Sequence, residues 1–182
     1  MPQLVVPTVS LHAAWLDSRD DWGRDAHQDG SGLRADDDVD SPTGFATWVA
    51  RLHAETAATG PLPDGRVPCS YWWVVEDGRV LGAIALRREL DAFLADAGGH
   101  IGYGVRPSER RRGLATWALG QVLLRAAGLG LDRVMVSCAV DNTASARTIE
   151  HHGGVLEDVR DTALGRLRRY WVELTDTPTD AR

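Results

Sequence analysis

The chain has 182 residues, an apolar share of 43%, a charged share of 25% and a net charge of −6, which suits one soluble domain with a core of its own. An acidic balance with a pI near 5.4 argues against a protein whose main partner is nucleic acid, since such proteins carry a broad basic face. All twenty basic residues are arginine; this resembles the coding bias of a GC-rich bacterial genome, and it excludes a P-loop, which needs a lysine.

The predicted elements run as follows. "QLVVP" is a short strand closed by Pro7, and Thr8 caps a helix with Leu11, Ala14 and Trp15 at helical spacing. From Asp17 to Ser41 the chain is rich in Asp and Gly and is expected to be a loop or a loose helix end. Ser41 and Pro42 form a cap-plus-N1 pair before a helix carrying Phe45, Trp48, Val49 and Leu52. "CSYWWVVED" and "RVLGAIALRR" make a tight hairpin around "DG". A short connecting helix, "ELDAFLADAGG", precedes the strand "HIGYGVRP". Then come the helix "RGLATWALGQVLLRAAGLG", the buried strand "DRVMVSCAV", an Asn-capped helix "NTASARTIEHHGG" and a final antiparallel pair. The strands at 100–106 and 132–140 are joined through a helix, so they are expected to be parallel neighbours.

Chemistry concentrates in "VRPSERRRGLATWAL", Val105 to Leu119, which has four arginines in seven residues and then a glycine at a helix start. A helix N-terminus has unpaired N–H groups and about half a positive charge, and a glycine there lets the backbone close around an oxyanion. A solvated charged helix start and a nucleic-acid patch are the competing readings.

Arg110-Arg111-Arg112-Gly113-Leu114-Ala115 matches Arg/Gln-x-x-Gly-x-Gly/Ala, the pyrophosphate motif of the GNAT superfamily of acyl-CoA-dependent N-acetyltransferases. The chain resembles that superfamily most strongly over Gly98–Leu156. The resemblance implies an α/β (α+β) fold with a mixed, mostly antiparallel twisted sheet. Its central parallel pair is splayed around the cofactor, and helices cover both faces. It implies one domain over 1–182, with a cofactor core at about 98–156 and acceptor-side elements at about 8–60 and 160–175. Acetyl-CoA is the implied co-substrate and a primary amine, on a small molecule or a peptide, the acceptor. An inactive CoA-binding module of the same fold is the alternative.

Residue by residue, the resemblance places Val105 against the pantetheine and as an oxyanion donor. It places Arg110, Arg111, Arg112, Gly113, Leu114, Ala115 and Thr116 around the pyrophosphate. Gly102 and Gly104 would allow a bulge and close backbone approach. Many members carry a Tyr seven residues after the Asn that opens the last helix; here that position is Ile149. Some members that acetylate protein N-termini carry a Ser three residues after that Asn, and Ser145 stands there. Ser145 is thus the candidate partner of the leaving thiol, with Asn142 as helix cap and cofactor contact. For the general base, His100 is the candidate on its unperturbed pKa, with Tyr103 and Glu76 behind it and a water chain as the alternative. An acidic loop, Asp36, Asp37, Asp38 and Asp40, is expected either to attract a cationic amine or merely to solvate.

His151-His152 point about 100° apart and cannot share a metal alone, so no metal is expected. Arg166, Arg168 and Arg169 are expected on a solvated terminal strand. Cys69 and Cys138 are read as buried free thiols. A poor signal sequence and no long apolar run suggest a cytoplasmic protein with no membrane or nucleic-acid partner, with a homodimer left open.

Overall fold

The computed structural model describes residues 1–24 and 26–174. Seven strands form one sheet: β1 (Gln3–Val5), β2 (Cys69–Glu76), β3 (Arg79–Arg87), β4 (Ile101–Val105), β5 (Arg133–Ala139), β6 (Val155–Thr162) and β7 (Gly165–Glu173), in the order β1-β2-β3-β4-β5-β7-β6. Every neighbouring pair is antiparallel except β4 and β5, which run parallel. The helices are α1 (His12–Trp22), α2 (Pro42–Ala57), α3 (Leu114–Gly128) and α4 (Thr143–His151).

Strand alternation sends side chains to two cores, one on each face of the sheet. Val74, Leu81, Ile84 and Leu86 pack with Leu119, Val122 and Ile149 of α3 and α4. Trp73, Val75, Val80 and Ala85 pack with Trp15, Phe45, Trp48 and Leu52 of α1 and α2. In the second core four large aromatics meet, with the Trp15 and Trp48 rings 4.8 Å apart. The β2–β3 turn has φ of 50° at Asp77 and 75° at Gly78, the backbone of a type I′ hairpin. Ser41 caps α2 by accepting from the Gly44 amide.

Three expectations needed correction. First, α1 continues through Trp22, because Ser18 and Arg19 are buried and Arg19 binds Asp20 and Asp40 (2.9 and 2.7 Å). Second, β4 has no bulge at Gly102 or Gly104; it pairs in unbroken register with β3. The irregularity lies instead between β2 and β3, at Val74/Val75. The glycines of β4 admit the α1–α2 loop: a Cβ at Gly30 would lie 2.5 Å from the Gly102 carbonyl, and one at Gly104 would lie 3.1 Å from the Trp22 ring. Third, β7 lies inside the sheet and β6 forms the edge. Arg169 is buried there, bonded to Asp158 (2.8 Å), Glu157 and the Ala95 carbonyl. The range expected for the acceptor side ended at 175, which lies outside the described residues.

Candidate active site

The parallel pair β4–β5 is held by one registered pair, Ile101 with Val136. Beyond it the strands part, and a cleft of about 550 Å³ opens between β4, the N-terminus of α3 and the first turns of α4. The Arg106 amide donates to the Leu81 carbonyl on the β3 side (2.9 Å). Extended backbone alternates, so the N–H and C=O of Val105 face the other way, into the gap. Arg110 Nε meets that carbonyl at 3.0 Å.

Pro107 ends β4 and opens a 3₁₀ turn through Glu109. The backbone then passes through left-handed conformations at Arg111 (φ 65°) and Gly113 (φ 75°) before α3 begins. No side chain caps α3, so its first amides stay free for an anion. A Cβ at Gly113 would meet nothing within 4 Å. Arg110, Arg111 and Gly113 to Thr116 all line the cleft. The Arg110 guanidinium lies over the Trp22 ring, 5.0 Å from its centroid.

Arg112 does not join them. Its guanidinium binds Glu76 at 2.5 Å and also binds Glu109, and Glu109 in turn holds Arg79 at 2.8 Å. These arginines hold the carboxyls of Glu76 and Glu109 below the usual range. Glu76 is thereby removed as a base candidate, and the Arg112 side chain is turned to these carboxylates instead of the cleft.

Tyr103, Asn142 and Ser145 meet in the cleft. Asn142 Oδ1 accepts from the Ser145 amide at 3.0 Å and caps α4. The Tyr103 hydroxyl donates to the Ser145 carbonyl at 3.4 Å. Burial pushes the Tyr103 phenol up to about 12, so it stays protonated at neutral pH. The α4 positions facing the cleft are Ala144, Ser145 and Thr148; Ile149 is fully buried in the core beneath them.

His100 lies elsewhere, and the expectation that it acts as base does not fit the geometry. Its Nδ1 accepts from the Met135 amide at 2.9 Å, and its own amide donates to the Met135 carbonyl at 2.7 Å. Burial, with Arg87 nearby, pulls its pKa down to about 4. The neutral ring pins β4 to β5 at the closed end of the splay. Cys138 is likewise buried, its thiol pushed up to about 11, which suits an inert core thiol.

The acidic loop also fell out differently. Asp37 accepts from the Arg34 amide (2.8 Å) and from Arg51 (2.5 Å), Asp38 accepts from the Ser41 hydroxyl (2.5 Å), and Asp40 pairs with Arg19 and Arg24 (both 2.7 Å). These three carboxylates tie the loop to α1 and α2. The loop acid that lines the cleft is Asp29, beside Trp22. Sequence reasoning missed both. Trp22 had a usable signal, since it sits seven residues after Trp15 on the same helix face; Asp29 had none.

Among the described residues no three His, Cys, Asp or Glu side chains are placed to hold a metal, and no helix is long and apolar enough to cross a membrane. A seven-stranded sheet split at one parallel pair, with uncapped helix amides at the mouth of the split, is the architecture of a CoA-dependent acyltransferase fold. Residues 11–153 match the acetyltransferase (GNAT) family, and the chain belongs to that family. No curated protein matches it. Among solved structures it is similar to Mycobacterium smegmatis RimJ in complex with CoA-disulfide, at 20% identity and TM-score 0.71, over 97% of this chain and 84% of that one. RimL, a ribosomal L7/L12 alpha-N-protein acetyltransferase in complex with coenzyme A, aligns at 16% identity and TM-score 0.70, over 94% and 93%. The microcin C7 self-immunity acetyltransferase MccE, in complex with acetyl-CoA and AMP, aligns at 14% and 0.66, over 94% and 92%.

Proposed function

We propose that the protein transfers an acetyl group from acetyl-CoA to a primary amine by direct attack in a ternary complex. The observation that carries this reading is the Val105 amide turned into the gap between β4 and β5, leading to the left-handed backbone at Arg111 and Gly113. Acetyl-CoA supplies the thioester. The open space at Gly113 and the free first-turn amides of α3 fit its pyrophosphate, with Arg110 and Arg111 as counter-charges. The Val105 amide is turned to stabilise the oxyanion that develops on the thioester carbonyl.

The amine lone pair forms the C–N bond as the C–S bond breaks, and the thiolate takes a proton. Ser145 lines the cleft and hydrogen-bonds the leaving sulfur in this reading, and any proton its hydroxyl passes on is replaced at once from solvent. Tyr103 is a positioning residue that holds the Ser145 backbone. Among the described residues no imidazole lines the cleft itself, and in this reading the ammonium proton leaves through solvent past Asp29, whose Oδ1 meets His27 Nε2 at 3.0 Å.

A thiol-release assay with acetyl-CoA and an amine panel tests the proposal. Amine-dependent release is expected, and Ser145→Ala should lower kcat by about tenfold or more with a smaller change in KM for acetyl-CoA. CoA binding without release on any amine would favour the inactive module.

A further inference from the structure

Arg110 and Arg112 belong to the same arginine run, yet their guanidinium groups are held in different ways. Arg112 is fixed by two carboxylates, Glu76 and Glu109. Among the described residues Arg110 has no carboxylate partner. Its Nε–H donates to the Val105 carbonyl at 3.0 Å, and its guanidinium lies over the Trp22 ring, 5.0 Å from the centroid. A carbonyl and a ring face attract a cation but leave its charge unpaired.

That carbonyl lies on the flank of β4 that faces the split. A ligand that adds to this flank as a strand uses both the N–H and the C=O of Val105. In the free protein the C=O is already bonded to the chain's own Nε–H. Val105, Arg110 and Trp22 all line the cleft, so the side chain reaches along its wall from β4 to the end of α1. Arg110 is exposed, and water competes for both of its contacts, so they exchange readily for a stronger partner. The uncapped first turn of α3, where a diphosphate fits, follows three residues on.

We propose that Arg110 is a latch that makes the site specific for thioesters carrying a diphosphate. With no diphosphate bound, it covers the strand edge on which an acyl-pantetheine arm lies. A diphosphate at the first turn of α3 draws the guanidinium away, and the edge opens. The inference rests on the CoA-binding part of the reading above and adds a specificity-determining residue to it. A truncated thioester, with the acyl arm but no phosphate, must displace the arginine and leaves its charge with nothing to meet. Apparent affinity falls with the fraction of molecules open to a ligand, so one exposed hydrogen bond and one stacked cation weaken a truncated thioester by about tenfold. The two halves of the cofactor therefore help each other, since each binds better once Arg110 has moved, and this coupling is reciprocal.

The test splits the cofactor into those halves and uses the full chain. ADP carries the diphosphate and S-acetylpantetheine the acyl arm. Binding of S-acetylpantetheine is titrated by NMR with and without saturating ADP, so no turnover is needed. In wild type, ADP should tighten it about tenfold. Arg110→Ala should bind S-acetylpantetheine alone about tenfold more tightly than wild type does, and ADP should then change that affinity by about twofold or less. The Arg110 Nε–H signal, identified by its absence from Arg110→Ala, should shift on adding ADP alone. Were Arg110 only a counter-charge, Arg110→Ala would weaken ADP and leave S-acetylpantetheine where it was. That result, or S-acetylpantetheine binding undetectable in both proteins, would overturn the proposal. Coupled binding without thiol release on any amine would sink the acetyl-transfer reading and leave the latch standing, whereas release without coupling would sink the latch alone.

Discussion

Gly113→Glu is the sharpest probe of the anion nest. In the free protein the new Cβ meets nothing within 4 Å, so folding loses only the left-handed backbone term at φ 75°, about 1–2 kcal/mol. The ligand state differs. A carboxylate about 6 Å from one phosphate charge is opposed by roughly 0.7 kcal/mol in a water-like medium and about 2.8 kcal/mol at an effective dielectric near 20. With two phosphates nearby, acetyl-CoA affinity should fall by at least about tenfold, or about 1.4 kcal/mol. Titration calorimetry reads this directly, and Gly113→Ala separates backbone strain from charge. Arg112→Ala is the contrasting variant: its guanidinium serves Glu76 and Glu109, so affinity should stay within about threefold. The reasoning fails if Gly113→Glu binds acetyl-CoA as wild type does, or if Arg112→Ala loses more affinity than Gly113→Glu.

Three further outcomes are expected. His100→Ala should destabilise the fold by about 1–3 kcal/mol by orphaning the Met135 amide, yet leave the inflections of the kcat/KM–pH profile between about pH 5 and 8 in place; a lost inflection would restore His100 as a base. Since the folded pKa of His100 is depressed from 6.5 to about 4, its contribution to stability is full above 6.5 and is lost as pH falls through that window, and melts of wild type against the variant should diverge accordingly. Asp21, bonded to Arg106 and Ser108, has its pKa lowered from 3.8 to about 2; its contribution is present above 3.8 and lost on acidification toward 2, so Asp21→Asn should flatten the melting-temperature curve across that range, and an unchanged slope would refute the link. Ile149→Tyr restores the residue common in the family but overfills a fully buried site, so it should cost about 1–3 kcal/mol and add no activity; a gain in kcat would show that the ring reaches the cleft.

The sequence carried the repeating parts of this fold well. Alternation in β2 and β3, the Asp77-Gly78 turn and the Ser41 and Asn142 caps are local signals, and each produced the element expected. The positive φ at Arg111 was not legible, whereas Gly113 marked the start of α3. Non-local partnerships were the blind spot. Nothing in "RRRG" says that the third arginine turns to a carboxylate thirty-six residues away. His100 looked reactive because its pKa was taken in water, whereas its position behind the strand pair makes it a clamp. The stretch from Gly23 to Asp40 has no periodicity, so its docking on β4 through Gly30 and the arrival of Asp29 in the cleft had no local trace.

An ordinary open sheet has two rims where backbone groups lack partners, and other chains can add there. This sheet has, in effect, four: β1 and β6 outside, and the facing flanks of β4 and β5 beyond Ile101 and Val136. The two inner rims would be dangerous on a surface, since unpaired strands recruit strangers. Here they face each other within the molecule, with α3 and α4 closing one side. A folded protein cannot enter so narrow a slot, while a thin, flexible molecule with amide groups along its length can thread it. The split therefore acts as a sieve on thickness, offering strand-like adhesion only to partners slender enough to pass between two strands.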